Sequence, residues 1–351
     1  MLTLEQTHAV QEDLNKVCAD RPLKTYEEFT PNAFYGNDQI IKQYSKYNGV
    51  LKVVVPHGVA PPDDYIWKKE AKTPLPAVLC YTPVMERAYA KASTKFTLLS
   101  ASPFLYLMEL LKFQPKPERR GTIFFPAHST HYITAEMDFE AIATRLSLLE
   151  DEYKPVTVCM YWRDYLLGRA QSFRRKGLRI VSAGHMYDPH FLWRFYHLCS
   201  THRYGASNSL GSQLFYSVKA GCSFFFLEGF PQRLVVDTNM PKIEYSIPAA
   251  ETVSKLKSLF NQPVPLVTPK QMEIVDYYMG ALYLKSPTDL HEQLLMVEKL
   301  DKHFIIRDRE LGRKLVVPTY YKRKLQKSIM KPLRYVKEIL ARRAWGSEHS
   351  L

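Results

Sequence analysis

The chain has 351 residues, 46% of them hydrophobic, a formal net charge of +13, and five cysteines (Cys18, Cys80, Cys159, Cys199, Cys222) without a C-x-x-C pair. That length supports two domains with real cores, and the cysteine spacing argues against a zinc site or disulfide scaffold and fits a reducing compartment. Between Arg313 and Arg343 eleven Lys and Arg stand against Glu338 alone, a local +10; the remaining +3 is too little for the basic face that nucleic-acid binding needs.

In chain order, the N-terminal stretch MLTLEQTHAVQEDLNK is polar from the start, which is not the pattern of a signal peptide. No apolar run reaches the length of a membrane span. A cytoplasmic protein is expected. The first unit, residues 1–115, reads as α/β: a helix over GNDQIIKQYSKY, then candidate strands in VLKVVVPHG, LPAVLCYTP and KFTLLSASP. Asp63 and Asp64 in APPDDY read as a solvated turn, without partner acids to cradle a metal. The Pro- and charge-rich KFQPKPERRG supplies a linker at 116–121.

From 122 to 229, short β-rich runs alternate with helical patterns. TIFFPAH precedes DFEAIATRLSLLEDEY, VTVCMYW precedes RDYLLGRAQSFRRKG, and LRIVSAGH precedes DPHFLWRFYHLCSTH; RYGASNS then leads into LGSQLFYSVKAG, and CSFFFLEG closes the series. This alternation implies a parallel sheet with right-handed crossovers, a Rossmann-like unit over 122–300. Helical patterns at 250–260, 269–284 and 288–300 follow without strong strands. The expected fold class is α/β, two Rossmann-like domains facing a cleft, with C-terminal helices.

Ligands of parallel α/β sheets bind at the carboxyl ends of the strands. The strand ends of the second unit deliver His128, Ser129 and Thr130; Trp162, Arg163 and Asp164; His185 ahead of Asp188-Pro189; and Ser207, Asn208, Ser209, Gly211 and Ser212. Each piece has an ordinary structural use, since Ser and Asn cap helices and Asp-Pro opens them. Imidazoles and hydroxyls together on one rim point instead to an anion held at a helix N-terminus. Neither G-x-x-x-x-G-K-[ST] nor G-x-G-x-x-G occurs, so a P-loop or dinucleotide fold of the usual kind is unsupported.

The segments FPAHSTH, SAGHMYDP and SNSLGSQLFYSVKAG resemble the donor-binding half of two-Rossmann (GT-B) glycosyltransferases that build bacterial capsule and lipopolysaccharide. NAFYGNDQIIKQY and VVVPHGVAPP are compatible with the acceptor half. The resemblance implies transfer of a sugar, without metal or cofactor, from a nucleotide-sugar donor to a glycan or lipid-linked acceptor. In the transferases that use CMP-activated acidic sugars, a His-Pro motif and a Ser/Thr-rich motif hold the phosphate. Ser207, Ser209 and Ser212 match the second, whereas His185 stands four residues before Pro189. An inverting enzyme needs a base from the first unit, for which Asp38 and His57 are the candidates. Two alternatives are a CDP-polyol phosphotransferase of the teichoic-acid type and a non-catalytic nucleotide-sugar-binding protein.

The segment 301–351 is a basic tail. Within 322–345, Leu325, Ile329, Leu333, Val336, Ile339 and Leu340 recur mostly at spacings of three or four among Lys and Arg, ending near Trp345. Such a helix suits an anionic membrane surface, and peripheral attachment to the inner face of the cell membrane is expected. A basic helix packed on the body has the same pattern.

Overall fold

A computed structural model describes residues 13–59, 61–112, 118–236 and 250–310, with the side chains of 250 and 302–310 excepted. The basic stretch 322–345 and part of the expected linker lie outside the described residues. The first parallel sheet holds β1 (Val53–Val54), β2 (Ala77–Cys80) and β3 (Phe96–Leu99) in spatial order β1-β2-β3. Around it lie α2 (Asn37–Ser45), α3 (Lys68–Lys72), α4 (Pro83–Ala92) and α5 (Pro103–Leu111), while α1 (Leu14–Cys18) packs against the second unit, where Asn15 accepts from the Tyr165 hydroxyl.

The second sheet contains β4 (Thr122–Phe125), β6 (Val156–Cys159), β7 (Arg179–Val181), β8 (Tyr204–Ser207) and β9 (Ser223–Phe226), all parallel, in spatial order β7-β6-β4-β8-β9. Counted within the unit this is 3-2-1-4-5, the doubly wound order. Its crossovers are α6 (Phe139–Ser147), α7 (Trp162–Leu166) with α8 (Ala170–Arg174), α9 (Phe191–Ser200) and α10 (Ser212–Lys219). The single helix expected over RDYLLGRAQSFRRKG is broken in two, because Gly168 adopts φ +75° between α7 and α8. A two-stranded antiparallel ribbon that the periodicity did not suggest pairs β5 (Ile133–Glu136) with β10 (Arg233–Val236). The helices α11 (Ala250–Leu259), α12 (Pro269–Met279) and α13 (Pro287–Glu310) complete the described chain, and α13 crosses residue 300 without a break.

Both sheets are covered on both faces, which explains their nearly unbroken apolar strands. Alternate residues serve different cores: Ile123 and Phe125 face a central cluster while Phe124 faces an outer one, and Val53 and Leu79 face the same central cluster while Val54 and Val78 face a third. The central cluster runs from Ile40 and Leu79 through Phe104 and Phe195 to Phe224, Met279 and Val297. The two sheets thus share one core, with the C-terminal helices packed into it. The architecture is the expected α/β, parallel sheets facing a cleft.

Local signals start the helices. Thr82 accepts from the Met85 N–H ahead of Pro83, Asp138 accepts from the Ala141 N–H, and Thr268 with Gln271 forms a full capping box on α12.

Candidate functional site

The doubly wound order sets β4 beside β8 with crossovers leaving on opposite faces, so the loops after these two strands diverge and leave a crevice. The residues closest to the strand ends hold the crevice together. Ser207 Oγ donates to the Phe125 carbonyl at 2.7 Å, and Asn208 Oδ1 accepts from the Ala127 N–H at 2.8 Å. Beyond them the chain opens into a cavity of about 440 Å3, lined from this sheet by His128, Ser209, Gly211, Ser212 and Gln213 among others. There α10 begins with no side-chain cap, and the N–H groups of Ser212 and Gln213, both lining residues, have no partner within the helix. Gly211 at φ −178° is ordinary extended backbone.

His128 packs against Tyr161 with the rings tilted by 47° and their centroids 4.4 Å apart. The surrounding protein lowers its pKa by desolvation, against the pull of the nearby Asp164 carboxylate. That direction favours the neutral ring, which lines the cavity as a hydrogen-bonding group.

The carboxyl ends of the first sheet form the opposite wall. Ser212 joins the two walls: its Oγ accepts from the Val59 N–H at 2.9 Å and donates to the Val59 carbonyl at 2.7 Å. Next to this bridge His57 lies half-exposed, its Nδ1 3.6 Å from Glu70 Oε1. Glu70 is buried and receives the Tyr89 hydroxyl on its other oxygen. Asp63 also lines the cavity; its Oδ2 accepts from Thr82 Oγ1 at 2.7 Å and from the Tyr277 hydroxyl at 2.9 Å. Asp63 and Asp64 form the expected turn, with Asp64 exposed, but Asp63 is half-buried and hydrogen-bonded. Glu70, Thr82 and Tyr277 carried no signal in the sequence, since a Glu among lysines in KKEAK has the pattern of a solvated helix face.

Of the expected site residues, His57, His128, Ser209, Gly211 and Ser212 meet at the cavity, while Asp38, Ser129, Thr130, His185, Ser207 and Asn208 are not among its lining residues. Asp38 is buried in the first turn of α2 beside Glu27 and Lys42. Ser129 is buried and committed: its N–H and Oγ donate to the two oxygens of Asp164 at 2.8 Å, and Arg169 donates to its Oγ at 2.9 Å. The Thr130 N–H bonds the Ile133 carbonyl at 2.8 Å, turning the chain into β5.

His185 is fully buried against Trp162, ring centroids 4.0 Å apart, and next to His131 and Tyr187. Desolvation first, then the neighbouring His131, lowers its pKa to about 4. Asp20, His131 and His185 bring one ligand atom each to within 4.8 Å of one another, the spacing of a candidate metal set. However, His185 Nδ1 accepts from the Tyr187 N–H at 3.0 Å, which leaves the proton on Nε2, 3.2 Å from Asp20 Oδ1. A ring ligating through Nε2 needs the opposite tautomer. The geometry is that of a hydrogen-bonded His–Asp pair.

Fold and cavity together define an α/β protein with two parallel sheets whose carboxyl ends face one shared cavity. No family model and no curated protein matches the chain. Among solved structures it is similar to UDP-GlcNAc 2-epimerase from Neisseria meningitidis bound to UDP-GlcNAc, with 11% identity, a TM-score of 0.35, and 76% of this chain and 73% of that one covered. A likeness this distant says nothing about the activity of the present chain. No described helix is long and apolar enough to cross a membrane.

Proposed function

We propose that the chain is a glycosyltransferase that binds a nucleotide-activated sugar at the crevice of the second sheet and an acceptor hydroxyl at the first. One observation carries this reading: an uncapped helix N-terminus with His128 faces, across a single cavity, a histidine paired with a buried carboxylate. The α10 N–H groups and His128 would stabilise the charge growing on the departing phosphate as the glycosidic bond breaks. His57 would take the acceptor's proton, with Glu70 orienting the ring and stabilising the imidazolium that forms. Of the two candidate bases, His57 is preferred, because it lines the cavity and Asp38 does not.

No described lining residue is Lys or Arg. One helix end and a neutral imidazole suit the single charge of a CMP-linked donor better than a diphosphate. That favours a CMP-activated sugar and disfavours the CDP-polyol phosphotransferase.

The test is a thermal-shift screen with CMP, CDP, UDP, GDP and dTDP, followed by two variants. CMP is expected to stabilise the protein, and His128→Ala to weaken its binding about ten- to a hundredfold. His57→Gln is expected to leave CMP affinity unchanged and lower turnover about 10²–10⁴-fold. If no nucleotide stabilises the protein, the donor reading fails. If CMP binds but no donor is turned over or hydrolysed, a non-catalytic binding protein is the better description.

A further inference from the structure

Tyr35 reaches from the first unit across to the second. Among the described residues only Tyr35, Lys46 and Lys112 combine a Cβ with positive φ. The two lysines are left-handed caps that close α2 and α5. Tyr35 closes nothing: it precedes α2 with φ +61° and ψ +9°, a backbone that a residue with a Cβ keeps only when its surroundings impose it. They do so here through the Tyr35 N–H bond to the Met186 carbonyl at 2.7 Å and a ring packed against Phe191, centroids 4.7 Å apart.

That constraint delivers a hydroxyl pair. Tyr35 Oη lies 3.4 Å from Oη of Tyr161, just after β6, and both side chains line the cavity with His128. Desolvation raises the pKa of both phenols, so each keeps its proton. The Trp162 N–H, without a full hydrogen bond of its own, acts on Tyr161 as a donor and takes up no proton. Two phenolic protons therefore serve two oxygens, and only one can lie between them; neither hydroxyl donates to any other described residue. A hydroxyl that accepts becomes the better donor, so donation runs from Trp162 to Tyr161 to Tyr35, and the Tyr35 proton is left for the cavity. Tyr35 is within electrostatic reach of the Tyr216 hydroxyl, beside Ser212 at the start of α10. The side chains that act on Tyr35 itself are the phenols of Tyr161 and Tyr187, so an oxyanion arriving there meets no carboxylate.

We propose that Tyr35 is a ligand-binding residue whose hydroxyl, aligned by Tyr161, donates a hydrogen bond to an oxyanion of the ligand on the α10 side of the cavity. The inference deepens the transferase reading and rests on it only for naming that oxyanion the phosphate of the nucleotide. Tyr161 is a positioning residue. Since Tyr35 belongs to the first unit and Tyr161 to the second, this donor exists only where the two meet.

The experiment measures binding of CMP and of inorganic phosphate to the full chain by calorimetry, and follows the phosphate titration by tyrosine difference absorption, because phosphate does not absorb in that band. Tyr35→Phe keeps the ring and the backbone bond; it is expected to weaken both probes about tenfold and to remove the difference spectrum. Tyr161→Phe is expected to lose less, and the double variant no more than Tyr35→Phe alone, because Tyr161 acts through Tyr35. If Tyr35→Phe does not fold, the wild-type spectrum decides: its absence at phosphate saturation, or a spectrum that Tyr161→Phe leaves unchanged, overturns the proposal. So do wild-type affinities in Tyr35→Phe, losses that add in the double variant, or no binding of either probe. CMP binding that Tyr35→Phe does not alter removes Tyr35 and leaves the donor reading standing; phosphate binding that depends on Tyr35, without CMP binding, keeps Tyr35 and removes the donor reading.

Discussion

Asp38 shows how a residue in a suggestive position can have a structural job. It sits in the first turn of α2, where an acid meets the helix dipole favourably. Burial nevertheless raises its pKa to about 6; the Glu27 charge adds to this, while Lys42 and the Gln39 N–H oppose it. An unfolded Asp titrates near about 3.9, so the native state binds the proton more tightly. The stability this contributes is complete below about pH 4 and is lost as pH rises through about 6. At pH 7.5 the buried charge is a net cost. Asp38→Asn is therefore expected to stabilise the protein at pH 7.5, by up to about 2–3 kcal/mol, with the gain vanishing near pH 4. Urea titrations at the two pH values measure this. A variant destabilised at pH 7.5 would show that the carboxylate's hydrogen bonds outweigh its desolvation.

At the scale of elements, the cavity depends on how helices end. The capping box of Thr268 starts α12, and Gly280 ends it in the left-handed region at φ +69°. That end is pressed against the first sheet: a Cβ on Gly280 would lie 2.6 Å from the Ser100 carbonyl oxygen and 2.8 Å from that of Tyr81. The same packing brings Tyr277 to Asp63 and Tyr278 to the cavity wall. Gly168 has the same kind of backbone, φ +75°, but nothing within 4 Å of the position a Cβ would take. Gly168→Ala should thus cost only the strain of the conformation, about 1–2 kcal/mol, and Gly280→Ala clearly more. Chemical denaturation of the two variants side by side isolates the contact. Equal costs would mean that the end of α12 can shift freely.

In the whole molecule, the sheets are held as one body through hydrogen bonds and an ion pair as well as the shared core. The Tyr35 N–H donates to the Met186 carbonyl at 2.7 Å, Ser212 bridges to Val59, and Lys219 Nζ reaches Asp276 at 2.7 Å. A close approach is at Gly36, φ +80°, where a Cβ would stand 2.0 Å from the Pro189 carbonyl oxygen. Backbone faces backbone there, and no side chain can rotate away. Gly36→Ala is expected to force the two halves apart and lower the stability of the entire chain by more than the strain of about 1–2 kcal/mol. Fluorescence and circular dichroism should both follow one cooperative unfolding transition in wild type and variant alike. Separate transitions for the two halves would mean that the continuous core does not couple them.

The alternation of apolar runs with helical patterns determined the second sheet, because strand period, crossover length and N-caps are local properties of the chain. The rule that ligands gather at strand ends pointed to His128 and Ser209, and the need for a base in the first unit pointed to His57, all three of which line the cavity. The same rule also chose His185 and Ser129, since sequence shows that a side chain follows a strand and not where it turns: His185 folds back onto Trp162, and Ser129 onto Asp164 and Arg169. Glu70, Asp63, Thr82 and Tyr277 were illegible for another reason. Asp63, Glu70 and Thr82 sit close together in the sequence but on a turn, a helix and a cap with ordinary surface patterns, and Tyr277 joins them only when α12 docks beside the first sheet. Local chemistry fixed which elements form. The docking of two sheets on one core decided which side chains share a cavity, because that depends on distances the chain acquires only when it folds.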